Sequence, residues 1–396
     1  MSKYNGIVIA DIHVGAFNLD KLHNEYLNIL IHNIEKMESL DFLVIAGDFF
    51  DHKFYLNDKE TTMAYIMLKE LILACKEKNA VVRIVYGTES HECNQYDILS
   101  LLKIYDKIEI IKTVKDEELL PGLNVLYLPE EYIVDKDEYY HDYFSNYQKY
   151  DYVFGHGVIR EVMKDRVVHM ENKSKEKSKT KNPAIFTSKE LSYICKGQIY
   201  FGHYHLNYEI DDKIFSISSF SRWKFGEEGR KGFYKLKCNT EKEKYSNTFV
   251  ENTMADGFKT IVFGYDNDVF SSQQKMDETI SSISAMIGRD IYDNVKFVFN
   301  VPKDVENPEA TLAYLKDRLK YKDNVKVELV HGLIEEKKKK QKEMIKMENE
   351  KYGFIMDKNI PIEDKLSKYI KIEYQKDLPS KDIIKYMTQP VSELLE

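Results

Sequence analysis

The sequence predicts an α/β protein whose larger, first part contains a largely parallel β-sheet buried on both faces. Short runs rich in Val, Ile, Phe and Tyr alternate along the chain with longer segments whose apolar residues recur at helical spacing. The short runs are apolar almost throughout, which is typical of strands that are covered on both faces. Strand and helix patterns also follow one another in the order that parallel sheets require.

The first third of the chain shows this alternation most clearly. Residues 6–10 (GIVIA), 41–47 (DFLVIAG) and 81–87 (VVRIVYG) are predicted strands. Apolar residues at helical spacing predict one helix from about Leu19 to Met37 and a second over residues 59–78. The order strand, helix, strand, helix, strand therefore predicts parallel pairing.

Further strands follow, and their character changes after Asn207. Residues 124–129, 152–157 and 198–205 are predicted strands that each end at a loop. From Asn207 to about Val250 the runs become shorter, as in YEI, KIFSISS and GFYKLKC. We expect these short runs to form hairpins of a second sheet that stacks on the first.

A second βαβαβ pattern predicts a small domain in the last third of the chain. Its strands read KTIVFGY, VKFVFNV and NVKVELV, with helices predicted over 271–288 and 308–320. A charged run follows, and then a tail with two amphipathic segments around LPS (378–380). The predicted divisions are a first domain 1–255, a second domain 256–333, a linker 334–358 and a tail 359–396.

Composition narrows the classes of protein that fit the chain. Its 396 residues carry a formal net charge of −8, so charge alone does not indicate a nucleic-acid partner. The four cysteines form no CxxC pair, which argues against a zinc ribbon. No apolar run reaches the roughly 18 residues of a membrane span, and no signal peptide precedes the first strand. We expect a cytoplasmic protein with no membrane contact. The lysine-rich run 171–182 is expected to be a solvated loop or a loop that contacts phosphate.

Acidic and imidazole side chains follow the predicted strands, where α/β proteins place their chemistry. The strand ends read ADIHVG, AGDFFDHK, GTESHE, FGHG and FGHYH. Each is a weak signal alone, but the carboxyl ends of strands in such a sheet converge on one edge. Carboxylates that meet there require cations to offset their repulsion. The predicted metal ligands are Asp11, His13, Asp48, His156, His203 and His205.

The type and number of these ligands indicate a pair of ions. Imidazole-rich sites without thiolates suit Mn²⁺, Fe²⁺ or Zn²⁺ better than Ca²⁺ or Mg²⁺. Six ligands with one bridging carboxylate are too many for a single ion. Two ions about 3.5–4 Å apart form the arrangement that promotes in-line displacement at phosphorus.

The ordered strand-end motifs resemble the calcineurin-like metallophosphoesterase superfamily, whose pattern is DxH, GDxxD, GNH[DE], GH and GHxH. Within it the chain is similar to the SbcD-type DNA double-strand-break nucleases, which include phage recombination nuclease subunits. The stretch SFSRWKFGEEGRKGF (219–233) looks like the segment that follows GHxH in the phage-type members. The resemblance covers the whole chain. It implies a four-layer β-sandwich flanked by helices, a small α+β capping domain and a helical C-terminal tail.

The resemblance also implies roles for single residues. The ligands of the first ion would be Asp11, His13, Asp48 and His205, and those of the second Asp48, His156 and His203. His91 matches the catalytic histidine, which protonates the leaving oxygen or stabilises the transition state. Asp51 matches the acid that pairs with this histidine, and an adjacent carboxylate favours the cationic form of an imidazole.

The third motif departs from the family pattern. The family has G-N-H, whereas this chain has G-T-E-S-H, so Ser90 stands where the second ion expects an amide oxygen. A serine hydroxyl is a shorter and weaker neutral ligand. Thr88, Glu89, Gln95 or a water molecule could complete the second site in its place.

Basic residues after the last motif are candidates for contact with DNA phosphates. Arg222, Lys224 and Arg230 lie in the stretch that resembles the phage-type members, and a solvated strand edge explains them as well. Trp223 is expected in the core rather than beneath a nucleic-acid base.

The resemblance implies a two-metal Mn²⁺ enzyme that acts as an exonuclease on duplex DNA and an endonuclease on single strands, in DNA repair and recombination. Its partners would be DNA, a second copy of the chain, and an SbcC-type coiled-coil ABC ATPase on which the apolar tail segments dock. A phosphoesterase for small nucleotide substrates is one alternative. A non-catalytic scaffold subunit with a degenerate second metal site is the other.

Overall fold

The computed structural model describes residues 3–97, 105–162, 181–263, 269–270, 272–287, 294–299, 308–318, 325–329, 354, 360–374 and 379. The chain divides into two compact units: Met1–Thr260 with Asp290–Val295, and Ile261–Arg289 with Lys296–Glu396. Most of the lysine-rich run, most of the predicted linker and the second amphipathic segment of the tail lie outside the described residues.

The first unit is mixed α/β and contains two six-stranded sheets. The strands of the first sheet are β1 (Lys3–Ile9), β2 (Phe42–Ala46), β3 (Val81–Val85), β4 (Ile108–Ile111), β15 (Gly232–Asn239) and β16 (Lys244–Glu251). Their order is β16-β15-β1-β2-β3-β4. The pairs β1–β2, β2–β3 and β3–β4 are parallel, as the alternation of strands and helices predicts, whereas β15 and β16 join in antiparallel fashion.

The second sheet repeats this plan with a parallel centre. Its strands are β5 (Lys115–Leu120), β6 (Leu123–Leu128), β8 (Tyr150–His156), β12 (Cys195–Gly202), β13 (Tyr208–Ile210) and β14 (Ile214–Ser216). The order is β13-β14-β12-β8-β6-β5, with antiparallel strands only at the two edges. Two short pairs accompany it: β7 (Tyr132–Ile133) with β10 (Asn182–Pro183), and β9 (Val158–Ile159) with β11 (Ile185–Phe186).

Helices cover the outer faces of both sheets. The first helical segment runs continuously through α1 (Leu19–Glu25), a π-helical turn (Tyr26–Ile31) and α2 (His32–Lys36), and α3 (Lys59–Glu77) follows. Asn18 begins the first segment by accepting a hydrogen bond from the amide of Lys21. Among the described residues of this unit, the remaining helices are α4 (Glu89–Glu92), α5 (Lys136–Tyr139), α6 (His141–Phe144), α7 (Ser188–Ile194) and a 3₁₀ turn (Thr240–Lys242).

Three hydrophobic cores of described residues lie between these layers. Alternate residues of β2 point in opposite directions, with Leu43 and Ile45 in the core beneath α1–α3 and Val44 in the core between the sheets. On β8, Phe154 faces the core between the sheets and Val153 faces the core beneath α7. The unit therefore consists of helices, sheet, sheet and helices, and both sheets are apolar on each face.

One expectation about the short strands is only partly met. The runs YEI and KIFSISS form β13 and β14 of the second sheet, but GFYKLKC forms β15, which pairs antiparallel with β1 of the first sheet. Alternation of apolar residues reports a half-buried strand, but it does not report which sheet the strand joins.

The last third of the chain has the predicted strands and helices. A three-stranded sheet in the order β17-β18-β19 contains β17 (Phe258–Phe263), β18 (Asn294–Phe299) and β19 (Val325–Leu329), with α8 (Gln273–Ile287) and α9 (Pro308–Arg318) between them in sequence. In the tail, α10 covers Ile362–Tyr374. Among the described helices, none is long and apolar enough to span a membrane.

Candidate metal centre

The predicted ligands lie where strands of both sheets end. Asp11 comes two residues after β1, Asp48 two residues after β2, His156 is the last residue of β8, and His203 directly follows β12. Asp11, His13, Asp48 and His156 are each at most 2% exposed. Parallel strands from two stacked sheets thus bring buried carboxylates and imidazoles to a common rim.

The backbone is strained at most of these positions. Five of the six predicted ligands have φ in the left-handed region: Asp11 (51°), His13 (51°), Asp48 (50°), His203 (97°) and His205 (53°). Such conformations cost on the order of 1–3 kcal/mol each for residues other than glycine. Strain concentrated on one set of converging side chains is typical of a functional site.

The first group of side chains surrounds one potential ion position. His13 Nε2 lies 2.9 Å from His205 Nε2, and Asp11 Oδ1 lies 3.5 Å from His205 Nε2 and 3.8 Å from His13 Nε2. These three residues present their ligand atoms to one another closely enough to hold a metal ion. Two imidazole nitrogens that face each other are readily satisfied by a cation between them.

The second group is joined to the first by Asp48. Its Oδ2 lies 3.8 Å from His13 Nε2 and 3.2 Å from His156 Nε2. On the far side, Glu130 Oε2 lies 3.9 Å from His156 Nε2 and 3.3 Å from His203 Nδ1. Glu130, His156 and His203 form a second set that could hold an ion, and Asp48 is placed to bridge the two positions.

His156 has the tautomer and orientation of a metal ligand. Its Nδ1 lies 2.8 Å from the carbonyl oxygen of Ala46, which fixes the proton on that nitrogen. In the neutral ring this leaves the lone pair on Nε2, which is buried, lies 3.2 Å from Asp48 Oδ2 and forms no well-directed hydrogen bond with a described residue. An unpartnered buried nitrogen directed at carboxylates fits a divalent cation.

Other ligands also have outer partners that orient them. His205 Nδ1 lies 2.6 Å from Glu227 Oε1, and Glu227 Oε2 lies 3.7 Å from Nζ of the buried Lys231. Both carboxylate oxygens of Asp11 accept a hydrogen bond from the amide of His203, each at 3.0 Å. Such second contacts are characteristic of metal ligands and hold them in position.

The electrostatics of the cluster favour cations. Burial opposes the charge of Asp48, but the nearby imidazoles outweigh it and hold the pKa of Asp48 well below its usual value. Burial lowers the pKa of His156, but Asp48 and Asp11 outweigh it and raise this pKa to about 10. The carboxylates thus stay ionised and retain positive charge around them, which protons or metal ions supply.

His91 and Asp51 both lie at this rim, but they pair differently from the expectation. His91 Nδ1 lies 3.2 Å from Asp48 Oδ2, whereas Asp51 lies 3.3 Å from His13 Nδ1 and 3.1 Å from His52 Nδ1. The backbone explains this, because the amide of Asp51 donates to the carbonyl of Val14 and draws the loop after β2 towards the loop after β1. Asp51 is thereby placed to orient a ligand of the first group.

Ser90, the residue in the position of the family amide, is exposed on α4. Thr88 comes closer to the cluster: its amide donates to Asp48 Oδ1 at 2.7 Å, and its hydroxyl lies 3.2 Å from Asp48 Oδ2 and 2.9 Å from Glu130 Oε2. α4 begins at Glu89 within this longer loop, and Ser90 lies on its exposed side.

The candidate DNA contacts all have partners within the chain. Arg222 donates to the carbonyls of Gly229, Ala255 and Asp256. Arg230 Nε lies 2.9 Å from Glu251 Oε2, and Lys224 Nζ lies 3.3 Å from Glu227 Oε1, although both side chains are 57% exposed.

Trp223, expected in the core, is half-buried and covers the first group of ligands. Its ring centroid is 5.0 Å from that of His13 and 5.2 Å from that of His205.

Glu130 and Glu227 are site residues that sequence reasoning missed. Glu130 carries a signal that was available, because it follows β6 by two residues, the same offset as Asp11 after β1 and Asp48 after β2. Glu227 lies in an irregular segment, and no periodic pattern in the sequence marks it.

Comparison with known proteins leaves the family open. No protein-family model matches the chain, and no curated protein matches it. Among solved structures, 41 chains match; one is a crystal structure at 13% identity and a TM-score of 0.33, covering 63% of this chain and 99% of its own. The fold and site define a mixed α/β protein with a candidate two-ion metal centre.

Proposed function

We propose that the chain is a Mn²⁺-dependent two-metal phosphodiesterase that cleaves DNA, acting as the nuclease subunit of an SbcCD-like repair or recombination complex. The observation that supports this proposal is the convergence of two ligand groups around Asp48, with His156 Nε2 buried and unpartnered among the described residues. The four-layer metallophosphoesterase fold is part of the same proposal, and the arrangement of two sheets between helical layers is compatible with it.

In the proposed reaction, one set of residues would bind the metal ions and another residue would donate a proton. Ions in this centre would activate water for attack at phosphorus and offset the charge of the phosphoryl oxygens. Asp11, His13 and His205 would hold one ion, His156 and His203 the other, and Asp48 both. His91 is 29% exposed beside Asp48, so its ring can reach a substrate at the rim and give a proton to the leaving oxygen.

Substrate can approach the cluster from the Glu130 side. An open cavity of about 1020 Å³ is lined by Glu130 together with Tyr86, Tyr132 and Lys112. Tyr132 is 44% exposed, so its ring presents a flat face on which a base of a single strand could stack. Several acidic residues also line this cavity, so bound cations would be required to admit a phosphate backbone.

The tail supplies a surface for the proposed ATPase partner. On α10, Ile362, Leu366 and Tyr369 recur at helical spacing and are 61%, 36% and 38% exposed. An apolar stripe of this kind fits the groove of a coiled coil. Co-purification of an SbcC-type ATPase with a chain truncated after Val330 would contradict docking through the tail.

The proposed function predicts that His91→Ala abolishes Mn²⁺-dependent cleavage of plasmid DNA while leaving Mn²⁺ binding intact. Loss of a general acid costs about 10²–10⁴-fold in rate. His141→Ala serves as the matched control, because the His141 side chain is 74% exposed on α6. The measurement is gel-resolved digestion of linear and single-stranded DNA with added Mn²⁺.

The outcomes separate the proposal from its alternatives. Cleavage that is lost in His91→Ala and kept in His141→Ala supports the nuclease. A wild-type chain that hydrolyses only small phosphodiesters, such as bis-p-nitrophenyl phosphate, would favour the small-substrate enzyme. A wild-type chain that is inert on both substrates would favour the scaffold.

A further inference from the structure

We propose that Glu130 is a ligand of the second ion and takes the place that the metallophosphoesterase pattern gives to an asparagine amide. This inference rests on the proposed function and concerns how this chain completes a site that its third motif leaves incomplete. It assigns a carboxylate, instead of a neutral oxygen, to the second metal position.

Geometry supports the assignment. Glu130 Oε2 lies 3.3 Å from His203 Nδ1 and 3.9 Å from the unpartnered His156 Nε2. The Glu130 side chain is only 5% exposed: Oε2 faces the two imidazoles, and Oε1 accepts a hydrogen bond from the Tyr132 hydroxyl at 3.2 Å. A buried carboxylate requires positive charge beside it, and a divalent cation between Glu130 and the two imidazoles would supply that charge.

The alternatives at this position are less well placed. Ser90 is exposed, and so is Glu89, although both belong to the loop that replaces the family motif. Thr88 is closer, but its hydroxyl lies 2.9 Å from Glu130 Oε2 and 3.2 Å from Asp48 Oδ2. The hydroxyl of Thr88 can donate a hydrogen bond to either carboxylate. A contact of this kind orients ligands, so Thr88 need not bind the ion itself.

Electrostatics are consistent with an ionised ligand. The imidazoles of His156 and His203 lie within 4 Å of Glu130 Oε2, and such neighbours favour the ionised form of a carboxylate when they are charged. A carboxylate in place of an amide adds one negative charge to the second position. A negatively charged carboxylate oxygen binds a divalent ion more tightly than a neutral amide oxygen does.

The test is Mn²⁺ titration of the chelator-treated full chain by calorimetry, combined with electron paramagnetic resonance of the loaded protein. We expect the wild type to bind two Mn²⁺ that give a spin-coupled signal. Glu130→Gln keeps nearly the same shape but removes the charge. It should weaken the binding of the second ion at least 10-fold, because losing even an outer partner of a metal ligand costs about that much affinity. The spectrum should then show an uncoupled single ion.

Glu89→Gln is the matched control, because it removes the same charge from an exposed residue of the neighbouring loop. It should bind both ions as the wild type does. Melting of each metal-free variant is measured first, and Glu130→Asp, which keeps the charge, is the second variant if Glu130→Gln does not fold. Both Glu130 variants should still bind the first ion.

The outcomes distinguish this inference from the proposed function. Two ions bound with unchanged affinity by Glu130→Gln would overturn the role of Glu130 and leave the two-metal centre standing. A wild type that binds a single ion would also overturn it. A wild type that binds no Mn²⁺ would remove the proposed function itself.

Discussion

At the scale of single residues, Glu227 shows how a side chain outside the ligand set can control the site. Its carboxylate lies 2.6 Å from His205 Nδ1 and is 5% exposed. Burial lowers the pKa of the adjacent Lys231 to about 8, even though Glu227 raises it. The ammonium of Lys231 donates to the carbonyl of His205 at 2.6 Å, so both side chains hold the same ligand.

Glu227→Gln should weaken Mn²⁺ binding about 10- to 100-fold, the range for partners that orient metal-bound histidines. The amide that replaces the carboxylate is neutral and can either accept from or donate to His205 Nδ1, so it favours the required tautomer less strongly and does not offset the charge of Lys231. Glu228→Gln is the control, since Glu228 is paired with Lys259 at 2.9 Å instead of a ligand. Calorimetric titration measures both variants, and equal affinities in the two would contradict a positioning role for Glu227.

The sequence predicted which residues converge better than it predicted how they pair. Asp11, Asp48 and His156 could be placed together because the end of a parallel strand fixes the position of the next residues. Asp51 and Ser90 lie farther along their loops, where the path depends on hydrogen bonds such as that from Asp51 to Val14. Periodicity carries no information about such contacts.

At the scale of secondary-structure elements, His156 is positioned by the close approach of the end of β12 to β2 and β8. Gly202 ends β12, and a Cβ atom there would lie 2.5 Å from the carbonyl oxygen of Ala46 and 2.8 Å from His156 Nδ1. Those two atoms form the hydrogen bond that fixes the tautomer of His156. Glycine is therefore required at this strand end for packing and for the metal centre alike.

Gly202→Ala should displace His156 or Ala46 and weaken Mn²⁺ binding at least 10-fold, because the contact between them is part of the second ligand group. It should also lower stability by about 1–3 kcal/mol through overpacking. Gly229→Ala is the matched control, since a Cβ atom added at Gly229 would meet no described atom within 4 Å. Titration and denaturant unfolding are the measurements, and wild-type Mn²⁺ affinity in Gly202→Ala would show that the contact is dispensable.

At the scale of the whole molecule, the sequence predicted strands and helices more fully than their assembly. Every strand predicted in the first third appears, because a buried parallel strand has an apolar run that ends at a turn. The predicted strands 124–129, 152–157 and 198–205 proved to be the centre of the second sheet, and β15 returned to the first. Strand order is set by long-range pairing, which local patterns do not encode.

The two sheets of the first unit are also connected by an ion pair. Arg83 on β3 donates to Glu117 on β5 through Nε at 2.6 Å and Nη2 at 3.1 Å. The two side chains are 12% and 17% exposed, so solvent screens the pair only partly. Burial opposes the charge of Glu117, but the contact with Arg83 outweighs it and lowers the pKa of Glu117.

Glu117→Gln should therefore destabilise the first unit by about 1.5–3 kcal/mol at pH 7, the value of a hydrogen bond to a charged group. Because the pKa of Glu117 is lower in the folded state, its contribution is present above the unfolded pKa of about 4.3 and is lost as pH falls further. The difference between variant and wild type should accordingly shrink below that pH. Urea unfolding followed by the fluorescence of Trp223, the single tryptophan, reports on this unit. Glu109→Gln, in which the lost carboxylate is 42% exposed and 3.6 Å from Arg83, should cost less, and a pH-independent difference for Glu117→Gln would contradict an ionised pair between the sheets.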